Sequence, residues 1–368
     1  MDLNVVGAGI VGLAHALIAS QKGLRVRVIE KDHRCVGASI RNFGFITVTG
    51  QRSGLTWQRA MRSRDVWQSL ASEAGLRIEH CGLWMLARQA LSVPVLEAFL
   101  QTEMGSSCEL HTSAQVQVKA PWLRCEDGMT AMYSPHELRF ESSIVIPRIA
   151  AWLQERYGVE FQWAQDALEV QGGTVRTATH RFEAERAVLC PGTYLNGIAR
   201  PWLKDFALHL TRLQMLRVRP PTGFKLDAAA MSDLSLVRYL GYAKLPQAQA
   251  LLAHLQQTEA QSLADGIHLI AVQSEDGSLV VGDSHHPHAT PDPFSSDAVD
   301  ALILRHLRQS LRLDQFEVIQ RWTGVYPTGI DQDAVILSPD DQLRIAVVSS
   351  GCGASTAFGL AQDVFQTW

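Results

Sequence analysis

No stretch of this 368-residue chain approaches the roughly 18–20 consecutive apolar residues that a membrane-spanning helix needs. No charged segment with a short apolar run precedes the first strand, as a secretory leader would require, so a cytoplasmic protein is expected. Paired cysteines are also missing. The six (Cys35, Cys81, Cys108, Cys125, Cys190, Cys352) contain no C-x-x-C, which argues against a zinc ribbon or a disulfide frame and for reduced thiols. Excess charge of one sign is absent. With 33 basic and 37 acidic residues the net charge is −4, which leaves no basic footprint for nucleic acid. Charge runs, low-complexity tracts and internal repeats are lacking. What remains is ordinary globular material, 46% hydrophobic, in a chain long enough to predict two domains rather than one core.

The signal sits at the two ends. Val5-Val6-Gly7-Ala8-Gly9-Ile10-Val11-Gly12 is followed by a helix-like stretch and then by Val26-Arg27-Val28-Ile29-Glu30. Gly7 permits a tight turn, Gly9 lets backbone N–H groups approach a pyrophosphate, and Gly12 lets helix and strand pack closely. The pyrophosphate then meets the positive end of the helix. Glu30, 18 residues after Gly12, is placed to accept from a ribose hydroxyl. This predicts a dinucleotide site, and the spacing alone leaves NAD and FAD both open. Near the other end, Leu343–Ser350 reads as a strand, Gly351-Cys352-Gly353-Ala354-Ser355-Thr356 as a glycine loop, and Ala357–Phe365 as a helix. A second helix N-terminus can address another part of a large cofactor, such as the pyrimidine end of an isoalloxazine.

Between the ends, periodicity predicts helices over Thr56–Ala74 and Val93–Glu103, and a strand over Leu83–Ala87. A helix over Ile144–Tyr157 is expected to be capped by Ser142 or Ser143. Val159–Val170 and Val175–Ala178 read as a hairpin-like excursion, and Arg186–Leu189 as a buried strand stopped at Pro191-Gly192. From Leu208 to Val281 strands alternate with loops (Thr211–Val218, Ile267–Val272, Leu279–Gly282), which predicts antiparallel sheet with a covering helix. Val299, Leu302, Ile303, Leu307 and Leu311 fall on one face of a helix over Asp297–Leu311.

With these pieces in place the chain resembles the D-amino-acid-oxidase-like FAD oxidoreductases, which include glycine oxidase and monomeric sarcosine oxidase. The carrying residues are Val5–Gly12 with Glu30, Gly37-Ala38-Ser39, Cys190-Pro191-Gly192, Arg321-Trp322-Thr323-Gly324 and Gly351–Thr356. It is similar in more detail to a subgroup associated with phosphonate degradation. The shared strings are Gly7–Ala16, Ser39–Gly44 followed by Thr49-Gly50-Gln51, His136–Ser142, Gly282–His285, Arg321–Tyr326 and Phe358–Ala361.

The resemblance implies an α/β (α+β overall) fold: a Rossmann-like FAD-binding domain with an inserted antiparallel β-sheet substrate domain. The cofactor domain would comprise residues 1–80, 141–205 and 321–368, and the substrate domain 81–140 and 206–320. It implies noncovalent FAD held by Gly7, Gly9, Ile10, Val11, Gly12, Glu30, Lys31, Ala38, Ser39, Asn42, Phe43, Gly44, Ala167, Cys190, Gly192, Gly324, Gly351, Gly353, Ala354, Ser355 and Thr356. It also implies oxidation of the C–N bond of a small aminoalkylphosphonate, 2-aminoethylphosphonate or its N-methyl form, to phosphonoacetaldehyde. Dioxygen or another acceptor would take the electrons. A 2-hydroxyacid dehydrogenase, a glycine- or sarcosine-type oxidase and a subunit without its own turnover are the alternatives.

Several positions depart from the better-known relatives. Where amino-acid oxidases of this kind hold a carboxylate with Arg, two residues after Gly324, this chain has Tyr326. No cysteine stands at Gly324 for covalent flavin, and apolar residues fill Leu279–Gly282 where sarcosine oxidases carry a lysine. Substrate contacts are expected from Arg41, Gln51, Asp283, His285, Trp322 and Tyr326, with His285 and Tyr326 at the chemistry. Arg41 is either an anion contact or a solvated loop cation. Arg238, Lys244 and Arg321 are further candidates for an anion clamp. Asp283-Ser284-His285-His286-Pro287-His288 has the look of a metal tract, yet the resemblance places Asp283 and His285 beside substrate, so no metal is expected. His285 can accept an ammonium proton because its unperturbed pKa is about 6.5. Cys352 is read as a small packing residue.

Overall fold

The computed structural model describes residues 1–368. Short, wholly buried apolar runs become the centre of one layer. Leu3–Val6 pairs in parallel with Val26–Ile29 on one side and Arg186–Leu189 on the other. The full order of this sheet is Ala334–Leu337, Leu343–Val348, Arg186–Leu189, Leu3–Val6, Val26–Ile29 and Glu160–Gln162. Only the edge pair Ala334–Leu337 with Leu343–Val348 is antiparallel. Continuous hydrophobic runs suit such strands because helices cover the sheet.

Four helices matter for the site: α1 (Ile10–Gln21), α2 (Leu55–Glu73), α3 (Ser142–Tyr157) and α4 (Gly353–Phe365). α4 packs on both α1 and α2. Close approach is set by Gly359, where an added Cβ would collide with the backbone of Arg59. Two ion pairs fasten the contact, Arg59 Nε and Arg62 Nη2 each 2.7 Å from Asp363. Trp67 Nε1 adds a hydrogen bond to Ala354 O at 2.8 Å, so α2 holds the N-terminal turn of α4 in place.

The second sheet has ten strands. Its path runs His286–His288, Leu208–Arg219, Leu279–Gly282, Ile270–Gln273, Ala229–Met231, His80–Ala87, Thr130–Arg139, Phe45–Ile46. Glu317–Gly329 pairs along the whole of Leu208–Arg219, and Glu109–Thr112 pairs with Thr130–Arg139. All pairs are antiparallel except Ala229–Met231 with His80–Ala87. The sheet therefore departs from a purely antiparallel expectation at the point where its two sequence blocks join.

Three other expectations are corrected. The segment after α3 is not one hairpin. Glu160–Gln162 extends the cofactor sheet, and Glu169–Gln171, Thr174–Arg176 and Arg181–Phe182 form a separate three-stranded sheet. Neither Ser142 nor Ser143 caps α3. Glu141 occupies the cap position, and Ser142 Oγ instead donates to Asn42 Oδ1 at 2.9 Å. Phe45–Ile46, inside 1–80, and Glu317–Gly329, which spans the boundary drawn at 321, both pair in the larger sheet.

Candidate active site

The first glycine turn is built by exclusion. Gly7 has φ +104° and an added Cβ would crowd Cys190 O, while a Cβ on Gly12 would collide with Gly7 O. The turn can therefore exist only with these glycines, and it delivers Gly9 as the N-cap of α1 with no side chain capping it. Ser39 Oγ accepts from Ile10 N at 2.9 Å, an oxygen at the place where the helix offers its free N–H groups to an anion. Cys352 is the N-cap of α4, again without a side-chain cap. The N-termini of α1 and α4 face one cavity of about 420 Å³, lined by Gly9–Gly12 and, beside it, Gly351–Ser355. Two uncapped helix starts, a glycine-walled approach and a continuous cavity fit a dinucleotide carrying a second polar ring system.

The far side of that cavity is walled by the large sheet and its loops. Arg238, Tyr239, His268, Asp283, His285 and Tyr326 meet there. Arg238 Nη2 donates to Tyr326 Oη at 3.5 Å. Tyr326 leans on Gly351, whose φ of +73° leaves no room for a side chain beneath the ring. Asp283 lies between two imidazoles, 3.3 Å from His268 Nε2 and 3.5 Å from His285 Nε2. Burial pushes the Asp283 carboxyl up to about 7, with Arg238 opposing the rise. Burial, reinforced by Arg238, holds His268 and His285 well below the usual histidine range, so both rings are neutral. Burial also raises the Tyr326 hydroxyl to about 12.

Of the residues named from sequence, Gly9, Ile10, Val11, Gly12, Ala38, Ser39, Phe43, Cys190, Gly192, Gly324, Gly351, Gly353, Ala354 and Ser355 line the cavity. So do Arg41, Asn42, Gln51, Asp283, His285 and Tyr326. Others do different work. Asn42 spends its amide inside the fold, donating to Ala38 O and accepting from Gly44 N and Ser142 Oγ. Glu30 accepts from Ala8 N at 2.7 Å and from Asp32 N at 3.0 Å, so its carboxylate fixes the turn. Lys31 is exposed and paired with Asp32. Ala167 packs with Val6 and Ile29 in the sheet core. Gly44 is required by the backbone of Phe140, and Thr356 Oγ1 bonds back to Cys352 O.

Trp322 Nε1 donates to Arg41 O and its ring packs on the core of the large sheet, off the cavity. Arg321 pairs with Asp300 at 2.7 Å, and Lys244 is exposed at the end of a short helix outside the lining. Of the anion-clamp candidates, Arg238 and Arg41 reach the cavity, and Arg41 Nε is bonded to Val36 O. His268, Tyr239 and Arg52 were not foreseen. The trace of His268 in the sequence is a lone polar residue inside Ile267–Val272, a break that strand reading passes over.

A parallel sheet with glycine turns at two helix starts, roofed by a large mixed sheet, defines a dinucleotide-dependent oxidoreductase. The family described as FAD dependent oxidoreductase matches residues 2–367, and the chain belongs to it. FAD is accordingly its cofactor. Among curated proteins it is similar to N-methyl-L-tryptophan oxidase of Yersinia pestis (strain Pestoides F), 25% identical over 226 residues. That alignment covers 56% of this chain, and the chain spans 59% of the length of the curated relatives it matches. Among solved structures it is similar to glycine oxidase from Geobacillus kaustophilus, with TM-score 0.79, 18% identity, and 99% of this chain and 93% of that one covered. L-proline dehydrogenase from P. horikoshii gives TM-score 0.80 at 18% identity, covering 99% and 91%. At such identities the likeness establishes the fold. No helix is long and apolar enough to cross a membrane.

Proposed function

We propose that this chain oxidises the C–N bond of a small amine that also carries an oxyanion, an aminoalkylphosphonate such as 2-aminoethylphosphonate or its N-methyl form. The observation that carries the reading is Arg238, a guanidinium lining the cavity with only the Tyr326 hydroxyl for a partner, in the same cavity as a buried carboxyl beside two neutral imidazoles. One end of the cavity suits an anion and the other suits an amine. An open guanidinium fork takes phosphonate and carboxylate oxygens alike. The shared strings from Ser39–Gly44 to Gly282–His285, and Tyr326 in place of a carboxylate-holding Arg, favour the phosphonate.

FAD supplies the hydride acceptor. Arg238 anchors the anion and fixes which carbon faces the ring, while Tyr326 and Gln51 narrow the cavity around it. Asp283 and His285 take the amine end. Water then hydrolyses the imine to phosphonoacetaldehyde and an amine or ammonia. The two cysteines lining the cavity, Cys190 and Cys352, have thiols raised by burial, which supports noncovalent cofactor. Dioxygen or another acceptor takes the electrons.

The test is anaerobic titration of the visible flavin absorbance with 2-aminoethylphosphonate, its N-methyl form, sarcosine and glycine. Bleaching by the phosphonates is expected. Bleaching by the carboxylates alone returns the protein to the amino-acid oxidases.

A further inference from the structure

The buried carboxyl of Asp283 faces a lone pair where a carboxylate would want a hydrogen. His285 Nδ1 lies 2.9 Å from Gly266 O, and a carbonyl can only accept, so Nδ1 carries the hydrogen of that neutral ring. His285 Nε2 therefore presents a lone pair, and it faces Asp283 Oδ2 at 3.5 Å. On the other side His268 Nε2 is 3.3 Å from Oδ1 in a geometry too bent for a hydrogen bond, which leaves Oδ1 buried and unpartnered. His268 Nδ1 meets the Ser235 hydroxyl at 3.3 Å. The side chains of His268, Asp283 and His285 are 3%, 5% and 9% exposed, and what opening they have is onto the cavity. One carboxyl oxygen thus faces a lone pair and the other has no hydrogen-bond partner, an arrangement that a proton on Asp283 would complete.

We propose that the Asp283–His285 pair, steadied by His268, takes up the proton of the substrate ammonium group, so that the amine presented to the cofactor is neutral. This rests on the amine-oxidation reading above. The transfer balances within the cavity. An ammonium N–H bond breaks and leaves its electron pair on nitrogen. An O–H bond forms on Asp283 and is shared with His285 Nε2, and one positive and one negative charge disappear together. Bound FAD would accept the hydrogen with its bonding pair from the carbon beside nitrogen, and water would then hydrolyse the oxidised substrate. Asp283 is the proton acceptor, and the two histidines are positioning residues.

The surroundings agree. Arg238 faces the cluster across the cavity and keeps part of the carboxyl population ionised, while burial lifts it towards neutrality. Tyr239 meets His268 edge-on at 5.3 Å and Tyr326 meets His285 edge-on at 6.1 Å, both with hydroxyls held protonated by burial. His286, next along the chain, also faces His285. A cation could use the same three ligand atoms, but the Arg238 charge facing all three side chains opposes one.

The experiment is rapid anaerobic mixing of the holoenzyme with 2-aminoethylphosphonate from about pH 6 to about pH 10, a range chosen to reach the amine's own ionisation. The wild-type bleaching rate should rise with pH through one ionisation near neutrality. Asp283→Asn should lose that limb, react about 100-fold more slowly near neutrality, and recover as free amine accumulates. Its binding of ethylphosphonate, read from the flavin spectrum, should be unchanged. His285→Gln can turn an amide N–H to the carboxylate in place of the ring lone pair, which favours the ionised acid and should move the limb to lower pH.

An Asp283→Asn profile identical to wild type overturns the proposal, as does loss of activity to a chelator, which would assign the cluster to a metal. If Asp283→Asn cannot hold flavin, the His285→Gln limb decides, and an unshifted one overturns it. Wild-type protein that no amine bleaches sinks the amine-oxidation reading and this proposal together. Wild-type bleaching with unaltered variants sinks this proposal alone.

Discussion

Arg238 is exposed to the cavity rather than locked in an ion pair, which distinguishes it from Arg321, also considered for the anion, and from Arg52, which lines the cavity. Arg321 is neutralised by Asp300, and Arg52 by Asp333 at 2.8 Å. Replacing Arg238 by Met keeps much of the stem and removes the charged fork. A charged hydrogen bond contributes about 1.5–3 kcal/mol, so phosphonate binding should weaken roughly 10- to 100-fold at unchanged flavin content, measured by titrating the flavin spectrum. An unchanged affinity would move the clamp to Arg41. At this scale the sequence was informative wherever a motif fixes geometry: Gly7 and Gly12 are demanded by backbone collisions that any α/β turn of this kind imposes, and Gly9 leaves room for the Ser39 hydroxyl. It was uninformative about Asn42 and Glu30, because which hydrogen bond a side chain spends on its own fold depends on partners such as Ser142 and Ala8. His268 stayed invisible for the same reason, since only the pairing of Ile270–Gln273 with Leu279–Gly282 brings it to Asp283.

α2 and α4 act as one unit. Their boundaries were legible to within a few residues at α2, because apolar spacing alone sets it, whereas α4 starts at Gly353, inside what reads as a glycine loop. A helix can begin in glycine when neighbours supply the order, and here Trp67 and the Asp363 ion pairs do so. Asp363→Ala leaves the nearly buried Arg59 without its partner. Stranding a charge this way costs about 3 kcal/mol. The variant should melt at lower temperature and lose flavin more readily on dialysis, since the N-terminus of α4 borders the cavity. Unchanged melting and flavin retention would show that the packing of Gly359 on Arg59 suffices.

The molecule as a whole is expected to be acid-sensitive. His15 and His306 are buried and held near 4, and His80 near 3, against 6.5 in water, chiefly by desolvation. Folding therefore favours their neutral forms. That stability is complete above about pH 6.5 and is lost as pH falls towards 4 and below, with His15 alone contributing about 3 kcal/mol. Asp283 runs the other way, since its raised carboxyl favours the folded state as pH falls from about 7 to its unfolded value of 3.8. The histidines outnumber it. Melting temperature should fall steadily between about pH 6.5 and pH 4, and His15→Gln should flatten the slope. The overall architecture was readable because its two glycine turns lie at opposite ends of the chain. The exchange of strands between layers was not, because Phe45–Ile46 and Glu317–Gly329 carry no local mark of which sheet they join.

The site needs both α1 and α4, and nearly the whole chain lies between them. On the ribosome, at about 5–20 residues per second, roughly half a minute passes between the appearance of the first glycine turn and that of the last helix. During that interval the nascent chain cannot close its cradle, and α1 waits with its apolar face uncovered. Flavin thus has nothing complete to bind until α4 has been made. Cofactor capture waits on α4, and a ribosome stalled before that helix would release a colourless, sticky chain.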